Sequence, residues 1–312
     1  MFIFDAHIDT LSRLIDSGRG FNEPQGHVHL DLLLQSKIGA QFFAAFVSPK
    51  FYQGMALHHT LELIDQFWQM LDEYSSDLAF AGSGTEIMQV QEGGQVACLL
   101  AIEGGEALEG KLANLRMLYR LGVRLITLTW NHRNQLASGQ GEGDAGGGLS
   151  KFGKAVIEEM NTLKMLIDVS HLNDPGFWDV LQVSRSPILA SHSNARALCN
   201  HPRNLTDEQI RALADQGGVI GVNFYPYFLD SSGAATIEHV VEHIAYLAKV
   251  GGIECVALGS DFDGISLVPV GLETCANTVD LIPALEDRGF CSREIEHIMG
   301  GNLLRLCTEV LG

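Results

Sequence analysis

The chain has 312 residues, 46 % of them hydrophobic and 19 % charged, and a formal net charge of −18 at pH 7. This length and composition are typical of a folded protein with a sizeable core. The excess of acidic residues argues against a nucleic-acid surface and against an anionic membrane as partners, because both require clustered Lys and Arg.

Membrane spans and cysteine sites are also not expected. No segment approaches the roughly 18 consecutive apolar residues of a membrane span, and no charged leader precedes a long apolar stretch. A cytoplasmic location is the simplest prediction. The six cysteines are dispersed without a C-x-x-C pair, so the sequence favours neither a disulfide framework nor a cysteine zinc site.

Short apolar runs rich in strand-forming residues recur along the chain and alternate, for the most part, with helical patterns. The eight runs span 2–6, 40–48, 96–103, 123–130, 163–171, 186–192, 217–224 and 254–262. Among the helical signals are the capping-box spacing of Thr206 and Gln209 and an apolar stripe from Ile237 to Leu247. This alternation predicts an α/β fold, and eight strands favour one (β/α)8 TIM barrel over residues 1–312.

Polar residues that can bind metal ions stand where several of these runs end. They are His7, Asp9, Glu103, His171, His192 and Asp261. The carboxyl ends of barrel strands form one rim, so we expect these side chains to meet. A single histidine at a strand end is more often structural, but several costly polar groups in one concave site need partners, and a metal ion provides one.

The number of candidate ligands exceeds what one tetrahedral zinc ion with an open position uses, which predicts a two-metal site. In this arrangement His7 and Asp9 hold one ion, His171 and His192 hold the other, and Glu103 bridges the two. A water shared by two cations becomes a hydroxide nucleophile near neutral pH. Asp261 then remains to transfer protons.

Several longer segments, in this order, cover nearly the whole chain and carry a family resemblance. They are DAHIDT, AIEGG, LTLTWNHRN, GGGLSKFGKAVIEEMNTLKMLIDVSH, ILASHSNARALCNHPRNLTD, VNFY and GSDFDG. Together they resemble the renal (membrane) dipeptidase family of zinc metallopeptidases, and the chain looks like a bacterial-type cytosolic member. The C-terminal segment from GLETCANTVD onwards is similar to the closing helices of that family.

The resemblance implies an amidohydrolase-like barrel with two zinc ions per chain that hydrolyses dipeptides, often including those with a D-configured C-terminal residue. It implies the same five metal ligands and the same bridging role for Glu103. The acid/base aspartate of the family corresponds to Asp261, and the arginine that holds the substrate carboxylate corresponds to Arg203. Asp263 is expected only to support its loop. Relatives also suggest a homodimer.

One departure from the family concerns the substrate pocket. Vertebrate enzymes carry a substrate-facing histidine at the end of the LTLT strand, where this chain has Trp130, and a histidine follows two residues later as His132. We consider two alternatives: His132 contacts the substrate, or that function is missing. Tyr225 of VNFY resembles a position that lines the same pocket, although an aromatic residue after a strand is as often a packing residue.

Two other functions stay open on the sequence alone. The first is a metal-dependent hydrolase of another small amide, a lactone or a phosphoester; the fourth strand lacks the terminal lysine that often becomes a carbamylated bridge in other amidohydrolases. The second is a non-hydrolytic protein, such as a sugar-type isomerase or a metal-binding protein without turnover. The presence of Asp261 and Arg203 beside the five ligands favours catalysis.

Overall fold

Nine parallel strands form the centre of the computed structural model, which describes residues 1–52 and 54–312. The strands are β1 (Ile3–Ile8), β2 (Ile38–Phe46), β3 (Leu78–Phe80), β4 (Val96–Glu103), β5 (Val123–Thr127), β6 (Leu166–Asp168), β7 (Leu189–Ala190), β8 (Val219–Val222) and β9 (Val256–Leu258). Each of the eight predicted apolar runs overlaps one of these strands. The predicted runs after β4 are longer than the strands, because residues at the ends of these runs lie outside the sheet.

Eight of the strands close into a ring. β1 pairs with β2 on one side and with β9 on the other, and the pairing continues through β8, β7, β6 and β5 to β4. The ring closes because β4 also pairs with β2, over residues 40–46 and 97–103. The predicted (β/α)8 TIM barrel is therefore confirmed.

The ninth strand, β3, lies outside the ring and was not predicted. It pairs with residues 96–98 of β4, whereas β5 pairs with residues 100–103 of the same strand. One edge of β4 thus pairs first with β3 and then with β5. A three-residue strand is too short to show the alternation from which strands are recognised in a sequence.

Helices connect the strands and cover the outside of the ring. They are α1 (Thr10–Ser17), α2 (Leu30–Gln35), α3 (Ala56–Glu73), α4 (Gly84–Glu92), α5 (Leu112–Arg120), α6 (Lys151–Leu163), α7 (Asp174–Val183), α8 (Asp207–Asp215), α9 (Pro226–Leu229), α10 (Ile237–Gly251), α11 (Leu281–Arg288), α12 (Ser292–Glu296) and α13 (Asn302–Leu311). A π-helical turn, His297–Gly301, joins α12 to α13. The predicted capping box of Thr206 and Gln209 begins α8. Within the described chain, no helix combines the length and the apolar character needed to cross a membrane.

The barrel interior is apolar at its amino end. Phe4 of β1 and Phe42 of β2 stack there with ring centroids 5.6 Å apart. They belong to a buried cluster that also contains Leu303 and Leu306 of α13, so this helix covers the amino end of the ring. The opposite end of the interior is where the strands deliver their polar residues.

Candidate metal centre and substrate cavity

The six polar residues that the sequence singled out lie together at the carboxyl ends of the strands. His7 is the second-last residue of β1, and Glu103 is the last residue of β4. The other four residues follow a strand by one to three positions. Those others are Asp9 after β1, His171 after β6, His192 after β7 and Asp261 after β9. The parallel ring brings five strand ends to one mouth, which explains how residues distant in sequence converge.

Glu103 is the centre of the cluster. Its Oε1 lies 2.9 Å from Nε2 of His171 and 3.6 Å from Nε2 of His192, while its Oε2 lies 3.6 Å from Nε2 of His7. The Nε2 atom of His7 is in turn 3.3 Å from Oδ2 of Asp9. The two oxygens of one carboxylate thus face two groups of ligands, as a bridging carboxylate would.

The donor atoms form two overlapping sets of metal-binding size. Ligand atoms of His7, Glu103 and His192 lie within 4.8 Å of one another, and so do those of His7, Asp9 and Asp261. Within the described part of the chain, neither ring nitrogen of His7 makes a hydrogen bond, and neither does Oδ1 of Asp9. Buried polar atoms without partners are costly, so imidazole and carboxylate donors in this arrangement fit zinc well.

The hydrogen bonds of His171 show which of its nitrogens is free for a ligand. Nδ1 of His171 lies 2.8 Å from the amide oxygen of Asn131, which can only accept a hydrogen bond. Nδ1 therefore carries the ring proton, and Nε2 presents a lone pair to Glu103 and to Nε2 of His192, 2.9 Å away. Mutually facing acceptors of this kind are stabilised by a cation between them.

The charges of the cluster are strongly coupled. Burial alone would raise the pKa of Glu103, but His7 and His171 hold it below its ordinary value. Burial lowers the pKa of His7, yet the attraction of Asp9 and Glu103 leaves it well above its ordinary value. Burial and the proximity of Arg203 lower the pKa of His171 to about 4 despite the opposing effect of Glu103. Glu103 and His171 are thus unprotonated at neutral pH, whereas His7 binds a proton more tightly than a free imidazole does.

Asp261 differs from the other carboxylates in its pKa. Removal from water and the repulsion of Asp9 and Glu103 raise its pKa to about 8, although His7 opposes this rise. Its Oδ2 accepts a hydrogen bond from the side-chain amide of Asn223, 2.9 Å away. A carboxyl group that keeps its proton near neutral pH suits general acid/base chemistry.

Unusual backbone geometry accompanies these residues. His171 and Asp261 have φ angles of 65° and 63°, a left-handed conformation that costs a side-chain-bearing residue of the order of 1–3 kcal/mol. The loop after β9 also passes close to the carboxylates. A Cβ atom on Gly264 would lie 2.2 Å from Oδ2 of Asp9 and 2.5 Å from Oδ1 of Asp261, so only glycine fits there.

Asp263 lies two residues beyond Asp261, but its carboxylate is fully used within the fold. It accepts hydrogen bonds from the hydroxyl of Thr10 at 2.7 Å, from Nε of Arg13 at 3.0 Å and from the backbone N–H of His27 at 2.6 Å. Its side chain is buried. These contacts tie the loop after β9 to α1 and to the segment before α2.

Arg203 lies in the wall of the same mouth and is 5 % exposed. One terminal nitrogen donates to the carbonyl oxygen of His192 at 3.2 Å, and the guanidinium lies 5.5 Å from the ring centroid of Phe228. Its Nε is buried and makes no hydrogen bond within the described residues. Burial lowers the pKa of Arg203 to about 10, which still leaves it charged at neutral pH.

A cavity of about 620 Å³ opens over the candidate metal ligands and reaches Arg203. Aromatic residues make up much of its wall; they are Phe46, Trp130, Tyr225 and Phe228. Phe46 and Trp130 pack edge to face with centroids 5.4 Å apart. Tyr225, which resembles a pocket-lining position of the family, is one of these wall residues.

The structure does not bring His132 to this cavity. Its side chain is 58 % exposed, its Nδ1 lies 3.9 Å from Glu142, and it is not among the residues that line the cavity. Trp130 and Asn131 lie in the wall instead. After them the chain turns outward towards the glycine-rich loop of residues 139–148. Of the two alternatives for His132, the structure favours the absence of a substrate contact.

Sequence reasoning missed three polar residues of the site. Asn131 orients His171, Asn223 contacts Asp261, and His201 lines the cavity with its Nδ1 accepting the backbone N–H of Arg203 at 3.2 Å. Asn131 directly follows the predicted run 123–130, and Asn223 is the second-last residue of the predicted run 217–224. That position was the available signal, but amides at strand ends are common in turns and do not by themselves indicate a site.

Comparison with known proteins agrees with this geometry. The family model "Membrane dipeptidase (Peptidase family M19)" matches residues 1–311. An uncharacterized dipeptidase of Schizosaccharomyces pombe is 38 % identical over 296 residues, which are 90 % of this chain and 71 % of the relative.

Two solved structures cover nearly all of this chain and of their own. The dipeptidase AC, an M19 metallopeptidase, has a TM-score of 0.94 at 27 % identity and covers 100 % of this chain and 99 % of its own. A metallopeptidase from Rhodobacter sphaeroides, liganded with a phosphinate mimic of the dipeptide L-Ala-D-Ala, has a TM-score of 0.93 at 26 % identity and covers 99 % of both chains. The chain therefore belongs to the membrane dipeptidase family of metallopeptidases, family M19.

Proposed function

We propose that this metallo-dipeptidase binds two zinc ions and hydrolyses the peptide bond of dipeptides that have a free carboxylate, L-D dipeptides among them. The observation that carries the proposal is the position of Glu103, whose two carboxylate oxygens face His7 on one side and His171 and His192 on the other. In the proposed site His7 and Asp9 hold one ion, and the other two histidines hold the second. A pair of zinc ions supplies a nucleophile from water near neutral pH and polarises a carbonyl oxygen.

Asp261 is the proposed proton carrier. It lies beside the ligands, and its pKa of about 8 lets its carboxyl group hold a proton near neutral pH. In the proposed reaction Asp261 delivers a proton to the departing amine, which makes that amine a better leaving group. The amide of Asn223 fixes the direction of the carboxyl group by its 2.9 Å hydrogen bond.

Arg203 is the proposed anchor for the carboxylate at the C-terminus of the substrate. A guanidinium makes two-pronged, charge-assisted contacts with a carboxylate, and its buried Nε has no competing partner in the described chain. Arg203 and several of the proposed metal ligands line one cavity. We therefore expect a substrate of two residues to reach both. In a longer peptide an uncharged peptide group would lie beside Arg203 in place of the terminal carboxylate, so the charge-assisted contact would be lost.

The proposal includes dipeptides with a D-residue at the carboxyl side. The relative from Rhodobacter sphaeroides binds a mimic of L-Ala-D-Ala, and this chain matches that fold over 99 % of its length. In this chain Tyr225 and Phe228 lie beside Arg203 in the cavity wall, where they would contact the side chain of the carboxyl-side residue.

The test combines metal analysis with a substrate panel. Zinc per chain is measured by elemental analysis, and L-L dipeptides, L-D dipeptides and tripeptides are assayed with and without chelator. We expect about two zinc ions per chain and cleavage of dipeptides, not of tripeptides, that the chelator abolishes. A folded, zinc-loaded sample that cleaves none of the dipeptides would contradict the proposal.

A further inference from the structure

A buried carboxylate lies beneath the metal ligands and has no part in the proposed reaction. Asp168, the last residue of β6, is fully buried. Its Oδ1 accepts the backbone N–H groups of Ser170 and Ser191, both at 2.9 Å. Its Oδ2 accepts the hydroxyls of Thr127 and Ser191, both at 2.6 Å. These four hydrogen bonds replace those that the carboxylate of Asp168 would make with water.

The hydroxyl of Ser191 connects this carboxylate to a metal ligand. Its Oγ lies 2.6 Å from Oδ2 of Asp168 and 2.8 Å from Nδ1 of His192. A carboxylate can only accept hydrogen bonds, so the hydroxyl proton of Ser191 is directed to Asp168. Towards His192 the same oxygen can then only accept, and Nδ1 of His192 must carry the ring proton.

The consequence appears at the other nitrogen of the ring. With its proton on Nδ1, His192 presents the lone pair of Nε2 to the site, 3.6 Å from Oε1 of Glu103 and 2.9 Å from Nε2 of His171. Metal-binding histidines usually donate their second N–H to a carboxylate or carbonyl group, which fixes the tautomer and the ring orientation. Here a serine hydroxyl stands between the imidazole and the carboxylate.

We propose that Asp168 is a positioning residue that acts through the Ser191 hydroxyl to hold His192 in the tautomer and orientation required for zinc binding. This inference rests on the proposed zinc site. His171 is oriented differently, by Asn131 in the loop after β5. The two histidines assigned to one ion are therefore oriented by separate devices.

The backbone around Ser191 is held as tightly as its side chain. Cβ atoms on Gly221 of β8 and on Gly259 after β9 would lie 2.1 Å and 1.8 Å from the carbonyl oxygen of Ser191. Glycine at both positions lets these neighbouring segments approach Ser191. The backbone N–H of His192 also donates to the hydroxyl of Ser170 at 3.0 Å. These contacts thus hold the backbone at Ser191 and His192 in place.

The test compares Ser191→Ala with Thr127→Val in the full chain. Both variants remove one hydroxyl donor from the same oxygen of Asp168, but only Ser191→Ala breaks the contact with His192. Zinc affinity is measured by competition with a chromophoric chelator, and folding is checked by thermal melting. We expect the weaker-bound zinc of Ser191→Ala to lose about 10–100-fold in affinity, whereas Thr127→Val stays within about threefold of the unaltered protein.

Equal zinc affinities in the two variants would overturn the proposal. A second measurement does not depend on either variant folding: the ¹⁵N chemical shifts of the histidine rings in the zinc-free, unaltered protein, with His192 assigned by its absence in His192→Gln. We expect His192 to be protonated at Nδ1, and protonation at Nε2 alone would overturn the proposal. A protein that binds no zinc but shows the Nδ1–H tautomer would refute the proposed function and leave the hydrogen-bond relay intact.

Discussion

The proton on Asp261 distinguishes this carboxyl group from Glu103, although both are buried at the same mouth. His7 and His171 keep the pKa of Glu103 low, whereas burial and the nearby carboxylates raise the pKa of Asp261 to about 8. These different surroundings agree with the roles proposed for the two acidic groups, Glu103 as a charged ligand and Asp261 as a proton carrier.

Replacement of Asp261 tests this division. We expect Asp261→Asn to keep the zinc content of the unaltered protein and to lose about 10²–10⁴-fold in kcat, because the amide cannot transfer a proton. Elemental analysis and dipeptide assays measure the two quantities on the same sample. Loss of zinc together with activity would show that Asp261 acts as a ligand, as its position near His7 and Asp9 also permits.

Arg203 offers a second residue-scale prediction. Arg203→Met removes the charge at a buried position, so we expect kcat/KM for a dipeptide to fall roughly 10–100-fold. This corresponds to a loss of about 1.5–3 kcal/mol in transition-state stabilisation. The matching dipeptide amide lacks the carboxylate and serves as the control, with little change expected. Equal losses for the two substrates would mean that Arg203 does not bind the carboxylate.

At the scale of elements, His243 joins three parts of the barrel wall. It lies on α10 and is buried, with Nδ1 accepting the backbone N–H of Ala195 at 3.1 Å and Nε2 donating to the carbonyl oxygen of Leu229 at 3.0 Å. The loop that follows His192 is therefore attached to α10 and to the end of α9. The hydrogen bond from Ala195 requires the neutral ring, because a protonated Nδ1 cannot accept.

This contact predicts a dependence of stability on pH. Burial lowers the pKa of His243 to about 4, against about 6.5 in an unfolded chain. Between these values the unfolded state binds more protons, so stability is full above pH 6.5 and falls by up to about 3 kcal/mol as the pH approaches 4. The measurement is the free energy of unfolding in urea from pH 7 to 4.5.

The control for this experiment is His243→Gln, which cannot titrate. We expect the variant to be less stable at pH 7 by about 1–3 kcal/mol, since one hydrogen bond to a buried backbone group is weakened. Its stability should fall less than that of the unaltered protein on acidification. Parallel pH curves for the two proteins would refute a neutral, buried His243.

At the scale of the whole molecule, the proposed metal ligands lie at the ends of separate strands. His7, Glu103, His171 and His192 come from the ends of β1, β4, β6 and β7, so bound ions would cross-link the carboxyl mouth of the barrel. Ligands that bind only the folded state stabilise it, by about 2.7 kcal/mol at 100 times the dissociation constant. We expect chelation to lower the melting temperature by several degrees and added zinc to restore it.

A variant without the bridging carboxylate provides the control. In Glu103→Gln the melting temperature should respond much less to zinc and chelator, since the shared ligand of both ions is weakened. If the melting temperature of the unaltered protein were the same with zinc and with chelator, the ions could not link the strands in this way.

Much of this architecture can be read from the sequence, because each strand is a compact apolar run and the ligands follow at its end. The sequence pattern did not predict the surroundings of a side chain where these depend on distant parts of the chain. His239 and His243 lie four residues apart on one helix, and that spacing alone does not show that His243 is buried. For His132 the sequence left a substrate contact open, because the path of the glycine-rich loop has no periodic signature from which its position follows.

The most direct test of the two-ion site is anomalous X-ray scattering at the zinc edge from crystals grown with zinc. A two-ion site predicts two peaks roughly 3.5–4 Å apart on either side of the Glu103 carboxylate, one beside His7 and Asp9 and the other beside His171 and His192. A single peak, or peaks away from these residues, would contradict it.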